Sequence, residues 1–132
     1  TLAGNALSTA AMRATLGEVL TDDAFGPMID LGGRFAEGTR RVIDSYGVNW
    51  SVSQLGARAE YRFAAPAPRT GTQAAAAGDA ELEEFLHLYT SNRDVLITPF
   101  HNMALMSPAT SAQDVDRHTE LFDAAVAELV GR

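Results

Sequence analysis

Four places in this 132-residue chain hold residue types that can do chemistry. At the start, Thr1-Leu2-Ala3-Gly4-Asn5 runs into an Ala-rich stretch. A Thr hydroxyl and the free N–H groups of a Gly-containing turn at a helix start suit a phosphate, because unpaired donors and the helix dipole both favour an anion there. The same residues also read as an ordinary helix start capped by Asn5 or Ser8. Next come Arg58 and Arg62 in Arg58-Ala59-Glu60-Tyr61-Arg62, and Arg69 on a Pro-rich loop. A guanidinium fork matches a carboxylate through two parallel hydrogen bonds, so each is a candidate for binding substrate. The competing reading of the pair is a ladder along one strand face in which Glu60 neutralises both Arg. Last, His101-Asn102 lies between two apolar runs, either as a polar contact at the mouth of a site or as a loop histidine bonded to its own turn. His87 and His118 fall on helices and read as structural or solvent-facing. The three His are too scattered for a metal site, no acidic cluster has ligand spacing, and nothing places a Ser on a nucleophile elbow.

What is missing narrows the chemistry further. All ten basic residues are Arg, and the chain has no Lys. Only a Lys side chain forms the Schiff base that holds an aldehyde cofactor, so that chemistry is excluded from this chain by itself. With no Cys, disulfides, thiol nucleophiles and thiolate metal sites are excluded, which is compatible with a cytosol. A net charge of -7 and a pI near 4.8, without a basic run, argue against nucleic acid or an anionic membrane surface as partner. No apolar run approaches the roughly 18 residues of a membrane span. A hydrophobic content of 46% predicts a soluble globular protein, and the length fits one domain or part of a larger chain.

Helices and a small sheet must position these residues. Residues 5 to 20 predict a helix rich in small residues, with Leu7, Leu16 and Leu20 on one side. Thr21 or Asp22 caps a second helix that runs to Tyr46 and stops at Gly47, with Pro27 in its first turn and a bend at Gly32. From 48 to 55 and from 58 to 65 the period falls to two, which predicts an antiparallel pair joined at Gly56, with Arg58, Glu60 and Arg62 on one face and Ala59, Tyr61 and Phe63 on the other. A loop and an Ala tract (73 to 78) lead to a helix capped at Asp79 and ending near Asn92. Val95–Thr98 and Met103–Met106 read as short strands. Ser111-Ala112-Gln113-Asp114 opens a final helix to about Val130, with Val115, His118, Leu121, Phe122, Ala125, Val126 and Leu129 on its buried stripe. The expected fold class is α+β, a small antiparallel sheet backed by helices.

The two ends of the chain carry a family resemblance. Thr1-Leu2-Ala3-Gly4-Asn5-Ala6 resembles the Gly-Thr-x-x-Gly-Asn-Pro stretch of class III (subgroup II) pyridoxal-phosphate aminotransferases, the fold-type I enzymes that include glutamate-1-semialdehyde aminomutase. Arg93-Asp94-Val95-Leu96-Ile97-Thr98-Pro99, Ser107-Pro108-Ala109-Thr110 and Ser111-Ala112-Gln113-Asp114-Val115-Asp116-Arg117 resemble the family's last strand pair and its Thr-x-x-Asp-Ile-Asp helix. The resemblance covers essentially the whole chain and implies the C-terminal small domain of such an enzyme, with residues 1–46 as helices linking it to a large domain and residues 47–132 as the small α+β domain. It implies that Thr1 donates hydrogen bonds to the phosphate of pyridoxal 5'-phosphate in the neighbouring subunit of a homodimer. The Schiff-base Lys, the Asp on the pyridine nitrogen and the phosphate loop belong to the large domain. The implied reaction moves an amino group between an amino acid or amine and a keto acid in a cytoplasmic enzyme of which this chain alone is not the catalyst. Two departures are visible. Ala6 replaces the family's Pro, and no acidic residue follows Pro99 in Phe100-His101-Asn102-Met103-Ala104, where the aminomutases have one. The second departure points to a transaminase acting on another, more apolar substrate. The alternatives are a non-catalytic dimerisation or binding module derived from that fold, and an unrelated acidic α+β domain. An apolar surface left open along the first helix is also expected.

Overall fold

The computed structural model describes residues 4–98 and 101–131. Helix α1 (Ala6–Ala14) starts at Asn5, whose side chain accepts from the Ser8 N–H at 2.9 Å, and it widens into a π-helical turn over Thr15–Val19. Helix α2 (Asp22–Tyr46) follows, and Gly47 ends it in the left-handed conformation (φ 65°) that a side chain would resist. Pro27 sits six residues into α2, beyond the expected first turn. Its missing N–H leaves one carbonyl of the exposed first turn to water, so the helix survives.

Strands β1 (Ser51–Leu55) and β2 (Arg58–Arg62) form the expected antiparallel hairpin, each shorter than its sequence run. The third strand, β3 (Met103–Leu105), adds antiparallel to β2, giving the order β1-β2-β3. Val95–Thr98 is not a strand. Asp94 takes a positive φ of 65° and the Val95 N–H turns back to the Thr90 carbonyl, so this segment leaves the preceding helix at the wrong angle to pair. One bond, Thr98 N–H to the Met103 carbonyl at 3.2 Å, ties it to the sheet.

The Ala tract contains a helix that its composition hid. Helix α3 (Gly71–Ala76) is capped by Thr70, whose hydroxyl accepts from the Gln73 N–H, while the Gln73 side chain accepts from the Arg69 N–H at 2.8 Å. Helix α4 (Ala80–Ser91) is capped by Asp79, and helix α5 (Ala112–Leu129) opens with a reciprocal capping box between Ser111 and Asp114.

The core lies between one face of the sheet and the helices α2, α4 and α5. Ala59 and Tyr61 of β2 meet Phe35, Val42 and Ile43 of α2, Leu86 of α4, and Val115, Phe122, Ala125 and Val126 of α5. Tyr61 and Phe122 pack with ring centroids 4.9 Å apart, within the range that aromatic pairs favour. Two glycines in α2 allow close approach. A Cβ on Gly32 would sit 3.0 Å from the Gly56 carbonyl oxygen of the hairpin turn, and one on Gly38 would sit 2.5 Å from the Thr119 hydroxyl of α5. Gly32 is therefore a contact point with the hairpin. Leu129, expected on the buried stripe of α5, is 39% exposed because the last turn runs past the core.

Candidate functional site

The hairpin decides which candidates meet. A two-residue turn at Gly56-Ala57 pairs Leu55 with Arg58, and the register then runs Ser53 with Glu60 and Ser51 with Arg62. On the other side of β2, Arg58 pairs with Leu105 and Glu60 with Met103, and the Tyr61 N–H donates to the Asn102 carbonyl at 3.0 Å. Ser51 and Arg62 thus form one row across the hairpin, and His101 is the chain neighbour of the Asn102 whose carbonyl accepts from Tyr61. Side chains alternate across a sheet, so this row lies on the face away from the core, with Arg58 and Glu60. That face is open at the hairpin end, where Leu55 is 78% and Leu105 59% exposed.

Glu60 bridges both arginines. Its Oε2 accepts from Arg58 Nη2 at 2.9 Å and its Oε1 from Arg62 Nη2 at 2.6 Å. The ladder is real, and it uses one nitrogen of each guanidinium, leaving further N–H donors on both. Glu60 is only 7% exposed, whereas the Arg62 side chain is 30% exposed. Beside Arg62, the Ser51 hydroxyl is buried with no hydrogen-bond partner among the described residues.

Helix α4 holds the segment that carries His101. His87 Nε2 lies 3.1 Å from the His101 carbonyl oxygen, and because a carbonyl only accepts, Nε2 must carry the proton. One turn earlier, Glu83 Oε1 lies 3.5 Å from Asn102 Nδ2. Asn102 is buried, and its Oδ1 has no partner among the described residues. Burial pushes the Tyr61 phenol far above its ordinary range, and the nearby Glu83 charge adds to the effect. His101 itself is exposed, with its N–H bonded to the Thr98 carbonyl, so its backbone closes its own turn while its ring stays accessible.

Arg69 stands apart. It lines a surface pocket of about 580 Å³ with Pro66, Pro68 and Gln73, next to the start of α3, and that pocket includes neither Ser51 nor Arg62. Thr1 lies outside the described residues. In what is described beside it, the first turn of α1 holds no acidic residue and the Asn5 side chain caps the Ser8 N–H. His118 is structural, as its place on the α5 stripe implies. Among the described residues no group of His, Asp and Glu has metal-ligand geometry, and no helix is long and apolar enough to cross a membrane. The sequence reading missed Ser51 and the α4 latch. The hairpin turn could have placed Ser51 beside Arg62, but nothing local ties His87 to residue 101.

No protein-family profile matches the chain. Solved structures do. The chain superposes on a glutamate-1-semialdehyde aminomutase from Pseudomonas aeruginosa, solved both alone and in complex with PMP, with a TM-score of 0.90 and 48% identity over 96% of the chain. A β-phenylalanine aminotransferase from Variovorax paradoxus (24% identity, TM-score 0.76, 98% of the chain) and an omega-transaminase from Sphaerobacter thermophilus (20%, 0.71, 94%) share the fold. The chain spans 28%, 28%, 27% and 29% of those four structures' chains, in the order aminomutase in complex, aminomutase alone, omega-transaminase and β-phenylalanine aminotransferase. Its fold is that of the C-terminal portion of a pyridoxal-phosphate aminotransferase. Within that class, the resemblance carried by its opening and closing motifs holds: the chain is similar to class III aminotransferases and, in sequence, to their glutamate-1-semialdehyde aminomutase branch.

Proposed function

We propose that this chain is the C-terminal part of a pyridoxal-phosphate-dependent enzyme that moves an amino group between an amino acid or amine and a keto acid. Residues 1–46 lead from a large cofactor-binding domain, and 47–132 complete the small domain, with α2 packed into its core. The observation that carries this is 48% identity at a TM-score of 0.90 over nearly the whole chain. Pyridoxal phosphate, when bound, supplies the electron sink for amino transfer. This chain's residues bind and orient. Thr1 donates to the cofactor phosphate across a homodimer, and the positive end of the α1 dipole favours the same anion. Arg62 holds the substrate carboxylate through the donors that Glu60 leaves free, and His101 is a polar contact for substrate. Arg69 is a second, peripheral carboxylate contact on its loop. With no Lys the chain holds no cofactor covalently, so catalysis requires the large domain. The setting is cytoplasmic, with small amino donors and acceptors as the other partners.

The similarity to aminomutases favours that branch, while the absence of an acidic residue at 100–104 favours a transaminase with a more apolar substrate. A non-catalytic dimerisation or binding module is the second reading, supported by the apolar side chains left open on α1. Joining the chain to a Lys-bearing large domain tests the choice. Amino transfer that is lost when this chain is omitted supports the first reading. A stable complex with no transfer to any keto acid supports the second.

A further inference from the structure

We infer that Glu60 is a positioning residue that holds Arg62 ready for a substrate carboxylate; this rests on the assignment of Arg62 as the carboxylate contact. Glu60 is an unusual choice for a nearly buried strand position. It gives up hydration, and a buried ion pair contributes little net stability compared with apolar packing of similar size. What it does achieve is geometric. Each of its oxygens engages a different guanidinium, at 2.9 Å for Arg58 and 2.6 Å for Arg62. The hairpin register and β3 fix its backbone on both sides, with Ser53 and Met103 as cross-strand neighbours. A flexible Arg pays rotamer entropy when it captures a ligand, and an Arg already held by one nitrogen has paid most of it. Two guanidinium charges against one carboxylate leave the row net positive, so the clamp orders Arg62 without cancelling its attraction for an anion. The Ser51 hydroxyl, buried and without a partner among the described residues, lies across the hairpin from Arg62. Glu60 therefore acts through Arg62 and touches no substrate itself.

The test compares butanoate with butanamide, which differ only in the charged group, by calorimetric titration of the cofactor-loaded enzyme that contains this chain. Wild type prefers the acid. Arg62→Ala abolishes the preference, a loss of about tenfold or more for hydrogen bonds to a charged group. Glu60→Gln, nearly isosteric, weakens butanoate about tenfold and leaves butanamide unchanged, and adds nothing to Arg62→Ala. If the Gln variant does not fold, Glu60→Asp gives a smaller loss with the same selectivity. Glu60→Gln that weakens both probes equally, or whose effect adds to that of Arg62→Ala, overturns the role of Glu60 while leaving Arg62 as the contact. A wild type without preference, or an Arg62→Ala enzyme that keeps it, overturns the assignment of Arg62 and the role of Glu60 with it.

Discussion

His118 lies between Phe35 and Phe122, with ring centroids at 4.4 and 5.9 Å, and neither of its nitrogens has a hydrogen-bond partner among the described residues. Burial lowers its pKa from 6.5 to about 4. The folded state therefore resists a proton that the unfolded chain accepts. The His118 contribution should be constant above pH 7 and lower stability as pH drops from about 6.5 towards 4, by about 3 kcal/mol in all. Urea titrations at stepped pH should show this slope, and His118→Leu should remove it with no loss at neutral pH, since the unpaired nitrogens disappear with the ring. A slope that persists in the Leu variant would place its origin elsewhere. Two carboxylates act lower on the scale. Hydrogen bonding to Arg34 (2.6 and 2.7 Å) holds Asp116 below its ordinary value, and bonds from Ser111 do the same for Asp114. Their contribution is lost only as pH falls through those lowered values, and it should remain in the Leu variant. The sequence placed His118 on a helix stripe, but its missing partners depend on what α2 brings against it, which periodicity cannot report.

Between elements, the seam of α2 and α5 is set by Gly38. Alanine there improves helix propensity by about 1 kcal/mol, yet its Cβ would press on Thr119, whose hydroxyl is already bonded to the Val115 carbonyl at 3.1 Å. Overpacking of this kind costs about 1–3 kcal/mol, so Gly38→Ala should be destabilising, and adding Thr119→Ala should reverse the sign. Chemical denaturation of the two variants decides it. The α4 latch gives a second expectation. His87→Ala should speed hydrogen exchange of the Tyr61 amide, which donates to Asn102, by about tenfold, and His87→Gln, which keeps a donor, should restore protection. Unchanged exchange would mean that β3 alone orders residues 101–102. Element by element, caps and periodicity revealed most of the fold. Gly47, Asp79 and the Ser111–Asp114 box end or start helices where the residues say they should. Thr70-Gly71-Thr72-Gln73 carried the same capping signal for α3, hidden by the Ala tract that followed. Val95–Thr98 misled because an apolar run of strand length says nothing about the angle at which Asp94 delivers it. The bond from the Tyr61 N–H to the Asn102 carbonyl was not legible either, since it depends on the register of β2 with a segment some 40 residues later in the chain.

At the scale of the molecule, Leu7, Met12, Leu16 and Val19 are exposed along α1 and the π-helical turn, as expected of a helix meant to pack against something further. Changing Leu7 and Leu16 to Glu should leave the folding of residues 22–131 intact by circular dichroism while weakening assembly with a large domain. Assembly that is indifferent to both changes would place the contact on another face. The sequence ends pointed to the class of enzyme, and the hairpin register sets Arg62 beside Ser51 and Glu60. The central claim is that this chain completes a cofactor site whose covalent anchor lies outside it. Borohydride reduction in the presence of pyridoxal phosphate, followed by peptide mass mapping, tests this most directly. No cofactor is expected on any side chain of this sequence, and cofactor is expected on one Lys of the large domain when the two are joined. A reduced adduct on a side chain between residues 1 and 132 would contradict it.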